Sequence, residues 1–221
     1  MAAVSNDKHG ASKKHEPHYE LPTAEALKEA GELMLKGTNR YSSLLLKETC
    51  FCIEHLLQFQ HVRHFFCGNC EDYIRTISEE LPPAFLNAST PKTKLTIIGC
   101  GDVAPIPSWR TRTMHNILGA DNSFPIYTDP SRKLYAKLGM MTSLSAGEKA
   151  PDYIKQGAVQ NALNSVKNAV VSGAGALQGG SPSQNGGEML FANGELVWFK
   201  RMRHTQDHAE VAELKDVLGL T

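Results

Sequence analysis

The chain has no excess of either charge and no long apolar run, and these absences exclude two classes of protein. Lys+Arg and Asp+Glu both number 23 in 221 residues, so the formal net charge is zero. Partners such as nucleic acid or an anionic membrane surface require a basic patch, and we therefore predict neither. No apolar run approaches the roughly 20 residues of a membrane-spanning helix, so no membrane span is expected.

Cysteine is also scarce, with five residues: Cys50, Cys52, Cys67, Cys70 and Cys100. Residues 1–20 are polar and rich in His and Lys, without the apolar core of a secretory signal, and they predict a disordered tail. The cysteines are therefore expected to be reduced thiols of a cytoplasmic protein rather than a disulfide framework. The length predicts one domain over 21–221 with its own core.

The pair Cys67 and Cys70 carries the clearest chemistry. An aromatic run precedes it and the helix-periodic stretch 71–81 follows, so Cys67 is expected at a helix N-terminus. Free backbone N–H groups and the helix dipole favour an anion there, which lowers the thiol pKa and yields the reactive thiolate. The second thiol is close enough to close a disulfide. We predict that Cys67 is the nucleophile and Cys70 the resolving thiol.

A zinc site is the alternative for these cysteines. Cys50 and Cys52 could join Cys67 and Cys70 as four ligands. The first pair is separated by one residue, which is tighter than the usual two to four. The redox interpretation is favoured, and it implies no metal, no tightly bound cofactor and an external thiol reductant of the thioredoxin or glutathione type.

The hydrophobic pattern predicts an α/β protein. Leu95–Ile98 indicates a buried strand, and Asn193-Gly194 between two apolar runs indicates a β-hairpin. Helices are predicted over 21–35, 71–81, 105–119, 129–139 and 207–219, and a helical insertion over 142–187 that includes a helix at 152–171. This order predicts a thioredoxin-like fold, a mixed central sheet with flanking helices.

Several blocks of the chain resemble a known family. They are His64–Tyr73, Ile98–Asp102, Phe124–Pro130 and Arg201–Glu210. Over about 21–220 the sequence is similar to the peroxiredoxin-like branch of the alkyl hydroperoxide reductase/thiol-specific antioxidant superfamily. The resemblance implies a thioredoxin fold and a thiol-dependent reductase, and the family includes an enzyme that reduces a prostaglandin endoperoxide.

The chain departs from the family in two places. Peroxiredoxins carry the motif Pro-x-x-x-Thr-x-x-Cys around the reactive cysteine. If Cys70 is that cysteine, Arg63 stands in place of Pro and Cys67 in place of Thr. If Cys67 is that cysteine, Gln60 and His64 stand in those places. Efficient reduction of hydrogen peroxide is therefore not implied. The strand that enters the CxxC is usually rich in Val and Ile, whereas 51–61 contains buried polar candidates that need partners.

Five further residues are candidates around the thiols. Arg63 and His64 would stabilise a thiolate by charge, and strand alternation predicts that at most one of them faces the site. Cys100, at the end of a strand, is either functional or a small buried residue. Arg201 would bind an anionic substrate or lie on a solvated edge strand. Gly187 would let a substrate approach the backbone closely.

These observations predict a thiol–disulfide oxidoreductase. The Cys67 thiolate would attack an O–O or S–S bond of an apolar small-molecule substrate, and Cys70 would resolve the product. One alternative is a tailoring reductase of a lipid or secondary-metabolite endoperoxide, with 142–187 as an apolar lid. The others are a catalytically silent thioredoxin-fold binding module and a zinc-held structural protein.

Overall fold

At the centre of the computed structural model, the described residues form a seven-stranded mixed sheet. The structure describes residues 16–38, 43–45, 56–115, 123–155, 158–171 and 178–220. The strands are β1 Met34–Lys36, β2 Ser43–Leu45, β3 Leu56–His61, β4 Thr93–Gly99, β5 Ile126–Thr128, β6 Gly187–Ala192 and β7 Glu195–Arg201. Their order across the sheet is β2-β1-β5-β4-β3-β6-β7.

The three central strands run parallel and the edges run antiparallel. β4 pairs in parallel with β3 on one side and with β5 on the other. β6 and β7 add an antiparallel hairpin next to β3, and β1 and β2 extend the opposite edge. Parallel neighbours need crossover connections, which here contain helices. The mixed sheet with flanking helices confirms the predicted thioredoxin-like fold.

The helices pack on both faces of this sheet. They are α1 Ala24–Gly31, α2 Gly68–Glu80, α3 Pro83–Ala88, α4 Ile106–Thr113, α5 Lys133–Lys137, α6 Ala158–Val171 and α7 Val211–Leu218. Side chains alternate between the faces of a strand, so Ile97 of β4 belongs to one apolar cluster and Ile98 to the other. The first cluster contains the buried residues of α2, α4 and α7, and it supports the cysteine pair.

The hairpin turn forms as its sequence predicts. Asn193 and Gly194 both have positive φ, at 51° and 82°. Two successive left-handed residues are the signature of the two-residue turn whose twist matches antiparallel strands. The turn pairs Ala192 with Glu195, and an irregularity between Leu190 and Phe191 then shifts the β6–β7 register by one residue, so that Gly187 opposes Arg201.

Several predicted helices are shorter than the pattern suggested. The helix predicted over 21–35 ends at Gly31, and Met34–Lys36 instead pairs as β1 with β2 and β5. Glycine is a weak helix former, and an open sheet edge offers the next residues backbone partners. The helix predicted over 152–171 is observed from Ala158, after a turn closed by the Ile154 N–H and the Pro151 carbonyl.

Two other helix boundaries also move. The helix predicted over 105–119 is observed as Ile106–Thr113, and residues 116–120 lie outside the described part of the chain. The helix predicted from Asp129 starts only at Lys133, because Arg132 adopts a left-handed conformation. Asp129 still caps it, since its carboxylate accepts the Leu134 N–H at 2.7 Å.

The predicted disordered tail is wrong in its last five residues. Residues 16–20 contain a short 3-10 turn, Pro17–Tyr19. The Tyr19 hydroxyl donates a hydrogen bond to Glu213 of α7 at 2.5 Å, which fixes the turn to the domain. Residues 1–15 lie outside the described part, so the tail over those residues stays a prediction.

β3 is a central strand despite its polar sequence. Gln58 and Gln60 are fully buried. Gln60 accepts a hydrogen bond from the Tyr73 hydroxyl at 3.3 Å, whereas neither the oxygen nor the nitrogen of the Gln58 amide has a partner among the described residues. Burial lowers the pKa of His61 to about 3, so its ring is neutral. Residues 46–55, including Cys50 and Cys52, lie outside the described part.

Candidate active site

Cys67 occupies the position that caps the start of α2. Its backbone is extended, with φ −75° and ψ 109°, and its carbonyl accepts the Glu71 N–H at 3.0 Å. Cys70 follows in the first helical turn, and both side chains are buried, with relative exposures of 2% and 0%. The first cysteine therefore lies at the helix N-terminus, as its spacing predicts, and the second lies one turn into the helix.

Arg63 contacts all three described cysteines through three different groups. Its Nη1 atom lies 3.2 Å from the Sγ atom of Cys67. Its backbone N–H points at the Cys70 sulfur, 3.5 Å from nitrogen to sulfur, and its carbonyl accepts the Cys100 thiol. The Nη2 atom donates to the Pro182 carbonyl. These bonds hold a permanently charged guanidinium against Cys67.

The two thiols of the pair are shifted in opposite directions. The pKa of Cys67 lies well below its usual range, first because the Cys70 thiol hydrogen-bonds its sulfur and then because of the Arg63 charge, which together outweigh burial. Burial raises the pKa of Cys70 well above its usual range, and the neighbouring Cys67 adds to the rise. Because the thiolate is the reactive form, Cys67 is prepared for attack while Cys70 stays protonated.

Cys70 also touches a buried histidine. The Nε2 atom of His208 lies 3.4 Å from the Cys70 sulfur, and its Nδ1 atom lies 2.6 Å from Oε1 of Glu188. Both the histidine and the glutamate side chains are fully buried. The imidazole stacks on the Tyr73 ring with centroids 4.2 Å apart and planes 12° from parallel, and the Tyr153 hydroxyl accepts the His208 backbone N–H at 3.2 Å. The ring therefore has one fixed position.

A cavity of about 590 Å³ opens over Cys67. Arg63 and Cys67 form part of its wall, and Phe66, Leu144 and Val166 supply apolar surface. Leu144 and Val166 are 68% and 63% exposed, so they lie at its rim. The volume falls in the range of sites for drug-sized ligands and exceeds what a small peroxide fills.

α6 contacts the start of α2 through polar groups. The Ser165 hydroxyl accepts the Gly68 N–H at 2.9 Å, which is one of the unpaired donors of the first turn. Asn161 donates from its amide to Asp72 at 2.8 Å and to Asn69 at 3.1 Å. A Cβ atom on Gly68 would lie 2.6 Å from the Asn161 carbonyl oxygen, so this close approach requires glycine.

Three apolar residues of α6 face outwards instead. Leu163, Val166 and Val170, which the pattern predicts on one helix face, are 59%, 63% and 71% exposed. Among the described side chains of α6, the buried one is the polar Asn161 and these apolar ones are exposed, the reverse of an ordinary surface helix. Its apolar side begins at the rim of the cavity, at Val166.

Comparison with known proteins identifies the family. The model of the AhpC/TSA antioxidant enzyme family matches residues 78–204, which is more than half of the chain. The chain belongs to the AhpC/TSA antioxidant enzyme family. This confirms the resemblance read from the sequence, and the protein is a peroxiredoxin-like enzyme. The matched segment starts after Cys70, so the match itself does not include the cysteine pair.

Solved peroxiredoxins share the fold. A yeast mitochondrial 1-Cys peroxiredoxin aligns with a TM-score of 0.52 at 12% identity, covering 85% of this chain and 71% of its own. A cysteine-to-serine mutant of peroxiredoxin 6 from Arenicola marina aligns with a TM-score of 0.51 at 14% identity, covering 85% and 69%. At this identity the likeness concerns the fold alone. No curated protein matches the sequence.

Within this AhpC/TSA protein, four of the predicted site residues come together. Arg63, His64 and Cys67 line the cavity, and Cys70 lies behind them in α2. The prediction that only one of Arg63 and His64 faces the site is wrong, because β3 ends at His61 and strand alternation does not extend to them. Burial lowers the pKa of His64, so its ring is a weak source of charge.

Cys100 lies beneath the same loop. Its thiol donates to the Arg63 carbonyl, and burial raises its pKa to about 11. A protonated thiol is a weak nucleophile, so Cys100 serves as a buried anchor for the residue-63 backbone. This agrees with the second of the two interpretations open from the sequence, a small buried residue.

Gly187 and Arg201 lie apart from the cavity, which corrects the placement predicted for them. The Arg201 guanidinium donates to the carbonyls of Leu138 at 2.9 Å and Glu20 at 2.7 Å. A Cβ atom on Gly187 would lie 2.4 Å from the Lys200 carbonyl oxygen. Gly187 therefore allows β6 to pack closely on β7. Arg201 anchors the turn at 17–20 to the domain.

His208 and Glu188 are the site residues that the sequence did not reveal. The residues around His208 have the pattern of a helix cap, and Glu188 precedes an apolar run that predicts a strand, so neither pattern indicates a catalytic role. A charged residue at a buried strand position is the one available signal, because such a charge needs a partner. No group of three or more His, Cys, Asp or Glu side chains that could hold a metal is found within the described ranges, and Cys50 and Cys52 fall outside them.

None of the described helices is both long and apolar enough to cross a bilayer.

Proposed function

We propose that this AhpC/TSA protein is a thiol-dependent oxidoreductase that uses Cys67 and Cys70 to reduce a bulky apolar hydroperoxide, endoperoxide or disulfide. One observation carries the proposal. The Arg63 guanidinium lies 3.2 Å from the Cys67 sulfur, in a pair whose first thiol has a lowered pKa and whose second has a raised one. This asymmetry divides the roles into an attacking and a resolving thiol.

The cycle begins with attack on the substrate. The Cys67 thiolate displaces an alkoxide from an O–O bond, so that an S–O bond forms, the O–O bond breaks and the alkoxide takes a proton to leave as an alcohol. With a hydroperoxide, Cys70 then attacks the sulfenic acid on Cys67, which forms the disulfide and releases water. With an endoperoxide, the adduct on Cys67 is a sulfenate ester of the opened ring, and attack by Cys70 forms the disulfide and releases the second oxygen as an alcohol. With a disulfide substrate the leaving group is a thiolate, and the intermediate is a mixed disulfide.

An external thiol donor restores the pair by exchange. The two thiols of a thioredoxin-type donor, or two molecules of a glutathione-type monothiol, become a disulfide as the Cys67–Cys70 bond is reduced, which completes the cycle. The solved yeast relative is described as resolved through glutathione and thioredoxin systems, which supports the same donor class here. Such donors are maintained in reducing compartments, so we assign the protein to the cytoplasm.

The cavity supports the choice of substrate. Phe66, Leu144 and Val166 provide apolar surface next to the Cys67 sulfur, in a volume of about 590 Å³. The chain also lacks the Pro/Thr pattern with which peroxiredoxins carry their peroxidatic cysteine. Apolar surface gives binding energy to a large substrate and none to hydrogen peroxide. An endoperoxide of a lipid or secondary metabolite belongs to the same class.

Mild oxidation followed by differential alkylation and mass spectrometry tests the proposal. Cumene hydroperoxide should convert Cys67 and Cys70 to a disulfide that a dithiol reverses. Cys67→Ser should abolish turnover, and Cys70→Ser should accumulate a sulfenic acid that dimedone traps on Cys67. Recovery of both thiols free, with oxidation only at Cys100, would overturn the proposal and leave a binding module of the same fold.

A further inference from the structure

The resolving thiol needs a base that the cycle has not yet supplied. Cys70 is fully buried, and burial favours its protonated form. A thiol must lose its proton before it attacks the Cys67 sulfur. A protein group in contact with the buried sulfur can take that proton directly.

His208 is the group in position. Its Nε2 atom is 3.4 Å from the Cys70 sulfur, within the range of a hydrogen bond to sulfur, and its Nδ1 atom is 2.6 Å from Glu188. A carboxylate that accepts the Nδ1 proton fixes the tautomer with a free Nε2 lone pair and stabilises the imidazolium that forms. Tyr73 stacked on the ring prevents it from turning away.

We propose that His208 is the general base and acid of the resolving step, with Glu188 as its positioning residue. This inference rests on the proposed function, because it concerns the second half of the same cycle. It assigns a role to two buried residues that the attack by Cys67 does not use.

The step balances within the protein. The Cys70 S–H proton moves to Nε2 of His208, the Cys70 thiolate attacks the sulfenic acid sulfur of Cys67, the S–S bond forms and the S–O bond breaks. The imidazolium returns its proton to the departing hydroxide, which leaves as water. The sulfenic acid of Cys67 and the thiol of Cys70 thus become a disulfide and water with no additional oxidant, since the peroxide has already oxidised Cys67.

Among the described residues, Cys70 and Glu188 contact the two ring nitrogens of His208, and the ring also borders an open cavity whose wall includes Lys200, Asp207 and Glu210. Tyr73 of α2 and Tyr153 of the segment before α6 also face it, and burial raises the pKa of both phenols well above the ordinary value. Both tyrosines therefore stay neutral through the cycle. Gln60 of β3 carries no charge, hydrogen-bonds Tyr73 and lies opposite Glu188 across the sheet.

His208→Gln and Glu188→Gln test the relay in single-turnover kinetics with cumene hydroperoxide. Oxidation of Cys67 should proceed within about threefold of the wild-type rate in both variants, because Arg63 is unchanged. Formation of the disulfide should slow by about 10²–10⁴-fold in His208→Gln, the usual contribution of a general base. The Cys67 sulfenic acid should accumulate and be trapped by dimedone.

A second readout separates a chemical role from a structural one. Without the base, the resolving rate should follow the Cys70 thiolate fraction and rise about tenfold per pH unit between about pH 7 and about pH 9, whereas in the wild type it should stay nearly level. Met189→Leu is the matched control, because it alters the buried strand next to Glu188 on the opposite face. It should leave the resolving rate within about twofold of wild type.

The outcomes distinguish this inference from the proposed function. A wild-type chain that forms no Cys67 sulfenic acid contradicts the proposed function. A wild-type chain that cycles, with His208→Gln resolving at the wild-type rate and pH dependence, overturns the relay alone. Should neither variant fold, the wild-type pH profile decides, since a steep rise with pH in the wild type excludes a base at His208.

Discussion

The Nη1 atom of Arg63 lies 3.2 Å from the Sγ atom of Cys67. The second nitrogen of the same guanidinium donates to the Pro182 carbonyl, so the charge is held in place rather than carried on a free side chain. Burial lowers the pKa of His64, the other basic neighbour. Arg63 is therefore the permanent cation next to the nucleophile, and it leads to a direct test.

Arg63→Gln should raise the pKa of Cys67 and slow its alkylation. Loss of a contacting cation shifts a thiol pKa by one or more units, so labelling by iodoacetamide at about pH 7 should fall roughly tenfold. The backbone contacts to Cys70 and Cys100 remain in this variant. Arg75→Gln, which removes an ion pair with Asp72 on the same helix, is the control and should label like the wild type. Equal labelling of Arg63→Gln and wild type would contradict the role given to the guanidinium.

The two thiols should differ in the pH at which they react. A lowered pKa means that Cys67 is already a thiolate below about 8.5, the value of a free cysteine, so its labelling rate should level off below that pH. The raised pKa of Cys70 means that its labelling should begin only above that value. Mass spectrometry of partly labelled protein across the pH range gives both curves. If Cys70 labels first, the two roles are reversed.

The rim of the cavity should govern the choice of substrate. Val166→Asp places a charge where an apolar substrate would pass, so kcat/KM for cumene hydroperoxide should fall by about tenfold or more. Val170→Asp, one turn along the exposed face and outside the cavity lining, should change it by less than about twofold. Turnover of hydrogen peroxide should be slow and unaffected by either substitution.

Steady-state kinetics of the wild type set the baseline for that comparison. Cys67→Ser should abolish turnover of both peroxides, because each requires the thiolate. Hydrogen peroxide handled in the usual enzyme range of about 10⁴–10⁸ M⁻¹s⁻¹, without a gain for bulky substrates, would identify an ordinary peroxidase with an unusual motif.

Zinc content tests the remaining structural alternative. The redox interpretation predicts far less than one zinc per chain in protein as purified, and a chelator should leave the fold intact. Elemental analysis and circular dichroism measure the two properties. Stoichiometric zinc, lost together with the fold, would instead assign Cys50, Cys52, Cys67 and Cys70 to a structural metal site.

Gln58→Leu should stabilise the protein. The buried amide of Gln58 has no partner among the described residues, and its neighbours across β4 and β6 are Leu95 and Leu190. An unsatisfied buried polar group costs about 1–3 kcal/mol, which the apolar variant recovers. Urea unfolding measures the change, with Gln160→Leu at an exposed position of α6 as the control. A less stable Gln58→Leu would show that the amide makes a bond in the folded state.

The parts of the fold that local sequence determines were predictable. The buried run at β4, the Asn193-Gly194 turn and the start of α2 depend on residues within a few positions of each other. The position of Cys67 at a helix N-terminus follows from the same local pattern. Arg63 is four residues from Cys67, so the sequence also predicts it as a partner of the thiol. The direction of its side chain was not predictable, because it depends on where β3 ends.

Contacts between distant segments were not predictable in this way. Cys70 and His208 are 138 positions apart, and His208 and Glu188 are 20 apart. Only the sheet order, with β6 next to β3, brings them beneath α2. The error at the end of α1 has the same origin, since Met34–Lys36 becomes a strand through pairing with distant residues.

The outward apolar side of α6 has a thermodynamic consequence. Leu163, Val166 and Val170 each leave unused much of the roughly 1.5–3 kcal/mol that full burial of such a side chain contributes. An apolar molecule that settles over the rim at Val166 removes the exposed part of that side chain from water and gains the corresponding free energy. Its binding should therefore have a negative heat-capacity change, so that the binding enthalpy becomes more favourable on warming.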